Sequence, residues 1–249
     1  MKLKIETRRG TLTYQFHVIY EGVKVMNKEI GRENLLLFKR LADKAGLKFG
    51  LAYGTLLGAI REHDFIPHDE DIDLWIMDEQ LETFKDLLWD LTEQGFNVIR
   101  FDRRNSLCSI MRDGEYMDIY IFRPLCKGVR EFNGEAILEK YLTDVEEIDF
   151  QGEKFMAARE AADFCLFEYG ASWQTPIAMK PYDIAWYKKK EALLFWWLHF
   201  NLPDFIFYPW VQRLGLKKIR AFNKKIRRYN KNKGQEIYQE IPEEAYSVR

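Results

Sequence analysis

The sequence has little cysteine and no cysteine pair of the kind that binds zinc. Its 249 residues contain three cysteines, Cys108, Cys126 and Cys165, and none of them belongs to a Cys-x-x-Cys motif. Neither a disulfide framework nor a cysteine zinc site is therefore indicated. We expect the protein to work in a reducing compartment.

The sequence also lacks an apolar run of the length that a signal peptide or a membrane span needs. Its first residues already carry charge, at Lys2, Lys4 and Glu6. The aromatic-rich stretch at 193–211 is interrupted by Asn201 and Pro203, and its apolar runs are much shorter than the roughly 20 residues that cross a bilayer. These absences predict a cytoplasmic protein that is at most peripheral to the inner face of a membrane.

No excess of charge of either sign is present in the chain as a whole. The formal net charge is -1 and the apolar content is 47%. Such a balance excludes a general polyanion binder, so no nucleic-acid partner is expected. The apolar content supports a packed core in one large domain, or in one domain with an appendage.

The order of apolar patterns predicts an α/β or α+β fold with a mixed sheet. An alternating stretch at 3–25 around Arg9-Gly10 predicts a short hairpin, and Asp113-Gly114 predicts a second, tight hairpin. Asp78 is a candidate helix cap, and Gly46 and Gly95 are candidate helix ends. The predicted helices are 33–45 and one after Asp78, and the predicted strands are 47–52, 72–77, 96–101, 107–112 and 115–122.

An acidic run at 68–73 contains the chemistry that the pattern favours most. Because side chains alternate across a strand, Asp71 and Asp73 project to one face, about 6 to 7 Å apart at Cα, while Ile72 projects to the other. In the second hairpin Asp118 likewise projects to the face opposite its apolar neighbours Met117 and Ile119. Three crowded carboxylates suit Mg²⁺ or Mn²⁺ and phosphoryl or nucleotidyl transfer, and Asp118 is also a candidate base.

A glycine-containing turn precedes this run. Gly54 and Thr55 follow a predicted strand and precede a short helix, an arrangement that places backbone N–H groups and a hydroxyl beside a phosphate. On its own the turn is more often structural, and a lone Asp-x-Asp is more often a solvated turn or cap. Their combination at this separation favours a phosphate site.

Two stretches resemble the signature of the LicD and fukutin family. They are Tyr53-Gly54-Thr55-Leu56-Leu57-Gly58-Ala59-Ile60-Arg61 and Phe65-Ile66-Pro67-His68-Asp69-Glu70-Asp71-Ile72-Asp73. The resemblance implies the nucleotidyltransferase-like fold, and transfer of phosphocholine or a polyol phosphate from a CDP-type donor to a hydroxyl of a glycan or glycolipid. Asp118, in Met117-Asp118-Ile119-Tyr120, resembles the family's later metal-binding strand.

The resemblance implies roles for individual residues. Asp71, Asp73 and Asp118 would hold metal, and Gly54, Thr55 and Arg61 would bind donor phosphates. For Arg61 the alternative is a surface ion pair with Glu62 or Asp64. Asp69 would orient the metal shell or cap the loop. The sequence departs from the family at His68, where Trp is usual, and at Glu70, where Asp is usual.

The resemblance covers roughly residues 33–180, including a closing element in which a short helix ends at Tyr169-Gly170 before Trp173 and Pro176. We therefore divide the chain into a catalytic domain at 1–182 and a helical extension at 183–249. Residues 217–233 contain nine Lys or Arg and no acid. One hypothesis is that 193–233 docks on an anionic membrane surface; the alternative is that its aromatic residues pack on the core and the basic helix is solvated.

Two other functions remain open at this point. The first is a nucleotidyltransferase that releases pyrophosphate and leaves a nucleoside monophosphate on a small acceptor. The second, from another class, is a membrane-docked glycan-binding module that retains the fold without turnover. The intact set of carboxylates favours the enzyme, with a nucleotide-activated donor and a glycan or lipid-linked glycan acceptor as its partners.

Overall fold

The computed structural model describes residues 1–20, 24–177 and 185–247. Short 3-10 turns lie at Asp78–Gln80 and Glu243–Ala245. The strands and helices, in chain order, are β1 (Lys2–Thr7), β2 (Gly10–Gln15), α1 (Lys28–Ala45), β3 (Phe49–Leu51), α2 (Tyr53–Arg61), β4 (Asp71–Met77), α3 (Leu81–Glu93), β5 (Asn97–Phe101), β6 (Leu107–Arg112), β7 (Glu115–Cys126), β8 (Val129–Phe132), β9 (Glu135–Leu138), α4 (Lys140–Thr143), β10 (Val145–Phe150), β11 (Glu153–Ala158), α5 (Ala161–Tyr169), α6 (Trp186–Asn201) and α7 (Asp204–Lys233).

A mixed sheet forms the centre of the fold and confirms the predicted α/β class. Its strand order is β10-β11-β3-β4-β7-β6-β5. In addition, β8 pairs with β7, and β9 pairs with β8. The pairs β4–β7 and β11–β3 are parallel, and the others are antiparallel. The parallel pair β4–β7 lies centrally, so each of the strands that carry Asp71, Asp73 and Asp118 is paired with a neighbour on both edges.

The alternation predicted for β4 is confirmed by burial. Ile72, Leu74 and Ile76 are completely buried, and α1 and α3 pack on this sheet and on each other. Burial of each such side chain contributes roughly 1.5–3 kcal/mol. The core therefore fixes the face to which Asp71 and Asp73 project.

Both predicted hairpins form. β1 pairs with β2 around Arg9-Gly10, although the paired residues end at Gln15 and residues 21–23 of the predicted stretch lie outside the described residues. In the second hairpin Arg112 pairs with Glu115 across Asp113 and Gly114, which have φ values of 52° and 83°. Positive φ at both central residues is what a tight two-residue turn requires.

Two helix boundaries differ from the sequence prediction. The first helix begins at Lys28 rather than near 33, because the Asn27 side chain accepts hydrogen bonds from the first free N–H groups. The prediction that Asp78 caps the next helix is wrong: Asp78 starts a 3-10 turn, and α3 begins after Gln80. The ends predicted at Gly46 and near Gly95 are confirmed.

The C-terminal part of the chain forms two long helices. The domain boundary predicted at 182 lies outside the described residues, and the division remains a prediction. The apolar stripe of α7 is buried in the core, which supports the packing alternative for the basic stretch: Ile219, Phe222, Ile226 and Tyr229. Among the described helices, none has both the length and the apolar character needed to cross a bilayer.

Candidate functional site

Neighbouring parallel strands bring two of the predicted carboxylates side by side. Asp73 on β4 is the register partner of Asp118 on β7, so their Cα atoms are separated by about one strand spacing, about 4.8 Å. Asp71 lies two residues earlier on the same face of β4. The strand register thus confirms the sequence prediction that Asp118 lies next to this pair on another strand. It does not test the role of Asp118 in metal binding.

The amino end of α2 lies against Asp73. The backbone N–H of Gly54 donates to Oδ2 of Asp73 at 2.8 Å, and Oγ1 of Thr55 accepts from the backbone N–H of Asp73 at 2.8 Å. Thr55 is almost fully buried, so its hydroxyl ties α2 to β4. A helix amino end favours negative charge, and here that charge is the carboxylate of Asp73.

Asp69 reaches the same point from the loop before β4. A Cβ atom added to Gly54 would lie 2.7 Å from Oδ2 of Asp69 and 3.1 Å from Oδ2 of Asp73. Only glycine therefore lets both carboxylates approach the helix end. The loop itself is held because the backbone N–H of Met26 donates to the carbonyl of Asp69 at 2.8 Å.

Burial raises the pKa values of three carboxyl groups, and repulsion by neighbouring carboxylates adds to the shift in two of them. For Asp73, burial and the charges of Asp69 and Asp118 raise the pKa to about 8, against the Tyr120 and Gly54 hydrogen bonds. Burial, and then Asp73 and Asp118, raise the pKa of Asp71 well above its usual range. Burial also raises the pKa of Asp69. Crowded negative charge of this kind is stabilised by a cation.

The donor set fits a hard divalent cation in its chemistry. Asp71 and Asp73 offer carboxylate oxygens, the ligands that Mg²⁺ and Mn²⁺ prefer, and their raised pKa values mark a shortage of positive charge. Within the described residues, however, no three His, Cys, Asp or Glu side chains converge closely enough to hold a metal ion. The metal roles of Asp71, Asp73 and Asp118 remain predictions.

Asp118 already has a positively charged partner that the sequence did not indicate. Nη2 of Arg100 donates to Oδ2 of Asp118 at 2.6 Å, and Nε of Arg100 donates to Oγ of Ser109 at 2.8 Å. The Ser109 hydroxyl in turn donates to Oδ1 of Asp118. Both oxygens of Asp118 are therefore occupied by groups from β5 and β6.

Two tyrosines also belong to the site and were missed by sequence reasoning. The Tyr120 hydroxyl donates to Oδ1 of Asp73 at 2.8 Å, and the Tyr53 ring lies 5.0 Å from the Tyr120 ring. Tyr53 has a φ of 31°, an uncommon conformation for a residue with a side chain. A signal for Tyr120 was available, because it is two residues after Asp118 and therefore on the same face of its strand.

In the described part of the chain, the Arg61 side chain forms no hydrogen bond or ion pair with the site carboxylates Asp71, Asp73 and Asp118. It lies seven residues after Gly54 on α2, about 10 Å along the helix axis. Its Nε donates to Glu62 at 2.7 Å and its Nη1 donates to the Trp173 carbonyl at 2.9 Å. The ion pair with Glu62 considered in the sequence is thus present, and phosphate binding by Arg61 remains a prediction.

A cavity of about 670 Å³ opens on the Asp118 side of the site. Its walls are largely aromatic and apolar, and they come from the sheet on one side and from α6 and α7 on the other. The side chains closest to the chemistry are Arg100, Asp118 and Tyr120; those opposite them include Trp196, His199 and Lys217. The C-terminal helices therefore complete a pocket that the sheet alone does not enclose.

Comparison with known families gives a match over the middle of the chain. Residues 46–157 match the family described as "LicD/FKTN/FKRP, nucleotidyltransferase domain". The match contains all seven predicted site residues, and it ends before the predicted closing element. That element does form as expected, because α5 ends at Tyr169 and Gly170 follows it as the cap.

Curated relatives match over short segments. The chain is 34% identical over 61 residues to the lipopolysaccharide cholinephosphotransferase LicD of Haemophilus influenzae, which is 24% of this chain and 23% of that protein. It is 33% identical over 82 residues, 33% of this chain, to an uncharacterised protein of Rickettsia typhi, of which 25% is covered. The chain thus spans about a quarter of the length of these relatives.

Solved structures of antibiotic-modifying proteins resemble the chain at low identity. The solution structure of antibiotic-resistance factor ANT(2'')-Ia gives a TM-score of 0.43 at 16% identity, covering 83% of this chain and 97% of that one. The crystal structure of a lincomycin-bound lincosamide antibiotic adenylyltransferase gives 0.40 at 12% identity, covering 68% and 96%.

Proposed function

On the premise that residues 46–157 belong to the LicD/FKTN/FKRP family as a nucleotidyltransferase domain, we propose that the protein is a metal-dependent phosphotransferase. It transfers a phosphorylated alcohol, phosphocholine or a polyol phosphate, from a CDP-type donor to a hydroxyl of a cell-surface glycan or glycolipid. The observation that supports this most directly is the convergence of Asp69 and Asp73 at the amino end of α2, beside Asp118.

The donor phosphates bind on the α2 side of the site in this proposal. Asp71 and Asp73 would hold Mg²⁺ or Mn²⁺, which supplies charge stabilisation for phosphoryl transfer when bound. Gly54 permits close approach of the phosphate-bearing ligand, because a larger residue would fill the space beside Asp69 and Asp73. Thr55 and Tyr120 fix the position of Asp73 through hydrogen bonds at 2.8 Å.

Asp118 is the candidate base for the hydroxyl of the acceptor. Because Ser109 and Arg100 occupy its two oxygens, one of these hydrogen bonds has to be exchanged before Asp118 can accept a proton. Release of Arg100 would leave its paired N–H groups free for a phosphate oxygen. In this proposal Arg100 therefore joins Arg61 as a candidate phosphate ligand.

The acceptor binds in the cavity between the sheet and the C-terminal helices. Asp118, Tyr120 and Tyr53 line this cavity, whereas Gly54 and Asp73 do not, so it approaches the candidate base more directly than the donor side. Aromatic walls such as Trp196 suit stacking with a sugar ring. Charged groups at its rim, including Lys217 and Glu135, can bind hydroxyls.

Donor conversion tests the proposal. CDP-choline, CDP-glycerol and CDP-ribitol are incubated separately with the whole chain, Mg²⁺ and a glycan or glycolipid preparation as the hydroxyl acceptor, and CMP is measured. We expect CMP release with one of these donors, its loss on addition of EDTA, and its recovery with excess Mg²⁺. Release of pyrophosphate from a nucleoside triphosphate, with no CMP from any conjugate, would instead identify a nucleotidyltransferase. Absence of both activities and of Mg²⁺-dependent nucleotide binding by calorimetry would favour the non-catalytic module.

We place this reaction in the cytoplasm. The three cysteines are free, Cys108 and Cys165 are buried, and burial raises the pKa of the Cys165 thiol to about 12. Burial keeps this thiol protonated and unreactive. The support for a reducing compartment is that the cysteines are not paired in disulfides. The CDP-type donor and the glycan or lipid-linked glycan acceptor are the proposed partners.

A further inference from the structure

The helix α6 is apolar on two opposite sides. One side packs inward: the Phe16 ring lies 5.4 Å from the Trp196 ring and 5.1 Å from the Phe200 ring. At 100° per residue, the other side spans an arc of about 120°. This arc contains Trp186, Tyr187, Lys190, Leu193, Leu194, Trp197 and Asn201. A helix that is apolar all round is normally covered on every side.

The outward arc of α6 is open in the described structure. Trp186 is 69% exposed, and Leu194 and Trp197 are each 57% exposed. The first turn of α7, which follows α6 after two residues, is also apolar and exposed: Phe205 is 78% exposed, and Ile206 and Tyr208 are exposed as well. We define the outer face as the α6 arc together with Phe205, Ile206 and Tyr208. Large apolar side chains exposed together in one short segment mark an interaction site.

The corner between α6 and α7 is fixed, so the outer face is presented as one unit. Nη1 of Arg103 donates to the Leu202 carbonyl at 2.5 Å, and Nη2 forms an ion pair with Asp204. The Arg103 guanidinium also lies 4.3 Å from the centre of the Phe207 ring. One residue of the catalytic domain thus holds the corner that carries the exposed aromatic groups.

The net charge next to the outer face is positive. At 100° per residue, Lys190 lies within the arc and Lys189 about 40° outside one edge, while Glu191 lies about 40° outside the other edge and Lys188 faces the opposite side. Lys189 and Lys190 are exposed, and neither forms an ion pair in the described part of the chain. Lys190 lies within the apolar arc, where its ammonium group is 4.8 Å from the centre of the Trp186 ring. The one acid at the corner, Asp204, is neutralised by Arg103.

We propose that the outer face docks on the surface of an anionic lipid bilayer. Trp and Tyr beside exposed Lys suit the headgroup region, where an aromatic ring meets the acyl boundary and an ammonium group meets lipid phosphate.

This surface differs from the one that the basic composition indicates. The basic residues of α7 are largely neutralised by acids on the protein itself, as in Arg220–Glu243 at 2.6 Å, Arg227–Glu240 at 2.5 Å and Lys218–Glu135 at 3.1 Å. Much of the charge of the stretch at 217–233 is therefore already paired within the protein, and we assign the membrane contact to residues 186–208.

Docking would place the large cavity beside the lipid headgroups. The inward side of α6 supplies Trp196 and His199 to the cavity wall, while the outward side would rest on the bilayer. An acceptor anchored in the membrane would then reach Asp118 without leaving the surface. The docking itself goes beyond the proposed reaction and does not depend on it.

Vesicle co-sedimentation tests the docking. Full-length protein is mixed with vesicles of phosphatidylcholine alone or with about one third phosphatidylglycerol. We expect binding to the anionic vesicles and a blue shift of tryptophan emission. Replacing both Trp197→Ser and Phe205→Ser should weaken the partition coefficient at least about tenfold, because each side chain loses its apolar burial. Replacing Lys189 and Lys190 by Gln should reduce it by up to about fivefold per lysine.

A matched control lies on α7. Lys224 is exposed, basic and remote from the outer face in sequence, so Lys224→Gln should change vesicle binding by less than about twofold. The proposal is overturned if wild type does not bind anionic vesicles, or if Trp197→Ser with Phe205→Ser binds as well as wild type. It is also overturned if light scattering shows a dimer that this double variant converts to a monomer, since a second copy would then cover the face.

Discussion

Arg100 and Asp118 form an ion pair across two strands, with 2.6 Å between Nη2 and Oδ2 and less than a tenth of either side chain exposed. The guanidinium also lies 5.6 Å from the centre of the Trp196 ring. One arginine therefore connects the candidate base, the sheet and the wall of the cavity. The net stabilisation of the fold by an ion pair buried to this extent is small, but removal of one partner is costly because it leaves an unpaired buried charge.

Replacing Arg100 tests this relationship. Arg100→Met leaves the Asp118 carboxylate buried without its cation, so we expect the free energy of unfolding to fall by about 3 kcal/mol. Urea denaturation measures this change. Arg100→Met combined with Asp118→Asn removes both charges and should recover most of the loss. If the single variant loses less than about 1 kcal/mol, the pair does not stabilise Asp118 as described.

Gly54→Ala tests the close approach at the amino end of α2. The added methyl group would lie 2.7 Å from Oδ2 of Asp69, so one of the carboxylates must move. We expect Mg²⁺-dependent CMP release to fall at least about tenfold, because small displacements of positioning groups are costly to catalysis. Steady-state assays with the accepted CDP conjugate measure it.

Gly46→Ala is the matched control for that change. Its added methyl group would meet no atom within 4 Å, but its φ of 68° makes alanine unfavourable by about 1 to 2 kcal/mol. This variant should therefore lose stability and still retain activity within about twofold, because no site carboxylate has to move. Equal activity losses in the two variants would show that the Gly54 effect is general destabilisation.

Asp73→Asn separates catalysis from folding. Asn still accepts the hydrogen bond from Gly54, but it cannot take the negative charge that burial and the charges of Asp69 and Asp118 disfavour. We expect CMP release to fall at least about a hundredfold, and the thermal midpoint without metal to stay the same or rise. Calorimetry with and without Mg²⁺ measures the second effect. Retention of most activity would remove Asp73 from the metal site.

The sequence predicted those features of the site that lie within one strand or one turn. Alternation placed Asp71 and Asp73 on a common face, and the Asp113-Gly114 dipeptide predicted the hairpin that carries Asp118. These inferences depend on local geometry, which residue order determines directly. The same local logic would have included Tyr120, two positions after Asp118.

Cross-strand partners could not be predicted in this way. Arg100 meets Asp118 only because β5, β6 and β7 pair in a register with an irregularity between Val98 and Arg100. A shift of one residue would turn Arg100 to the other face. Register of this kind is set by packing between strands that are distant in sequence. The pocket formed by α6 and α7 was beyond sequence reasoning for the same reason.

The buried histidine of α6 gives the protein a pH dependence that can be isolated. His199 is 5% exposed, and its Nε2 accepts a hydrogen bond from the Arg103 backbone N–H at 3.4 Å, which requires a neutral ring. Burial lowers the pKa of His199 to about 4. The charge of Asp102 opposes this shift, and the positive charges of Arg103 and Arg104 add to it. The unfolded chain binds this proton near pH 6.5.

Between these two values the unfolded state binds more protons than the folded state, so stability falls as the pH decreases from about 6.5 to about 4. The contribution of His199 reaches roughly 3 kcal/mol at the lower end of this window. His199→Gln cannot take up the proton and should lose much less stability over the same range. Urea denaturation of both proteins at pH 7.5, 6, 5 and 4.5 measures the difference between their free energies of unfolding. The titration of carboxylates that the two proteins share cancels in this difference. Parallel curves for the two proteins would show that His199 is protonated as readily in the folded state as in the unfolded chain.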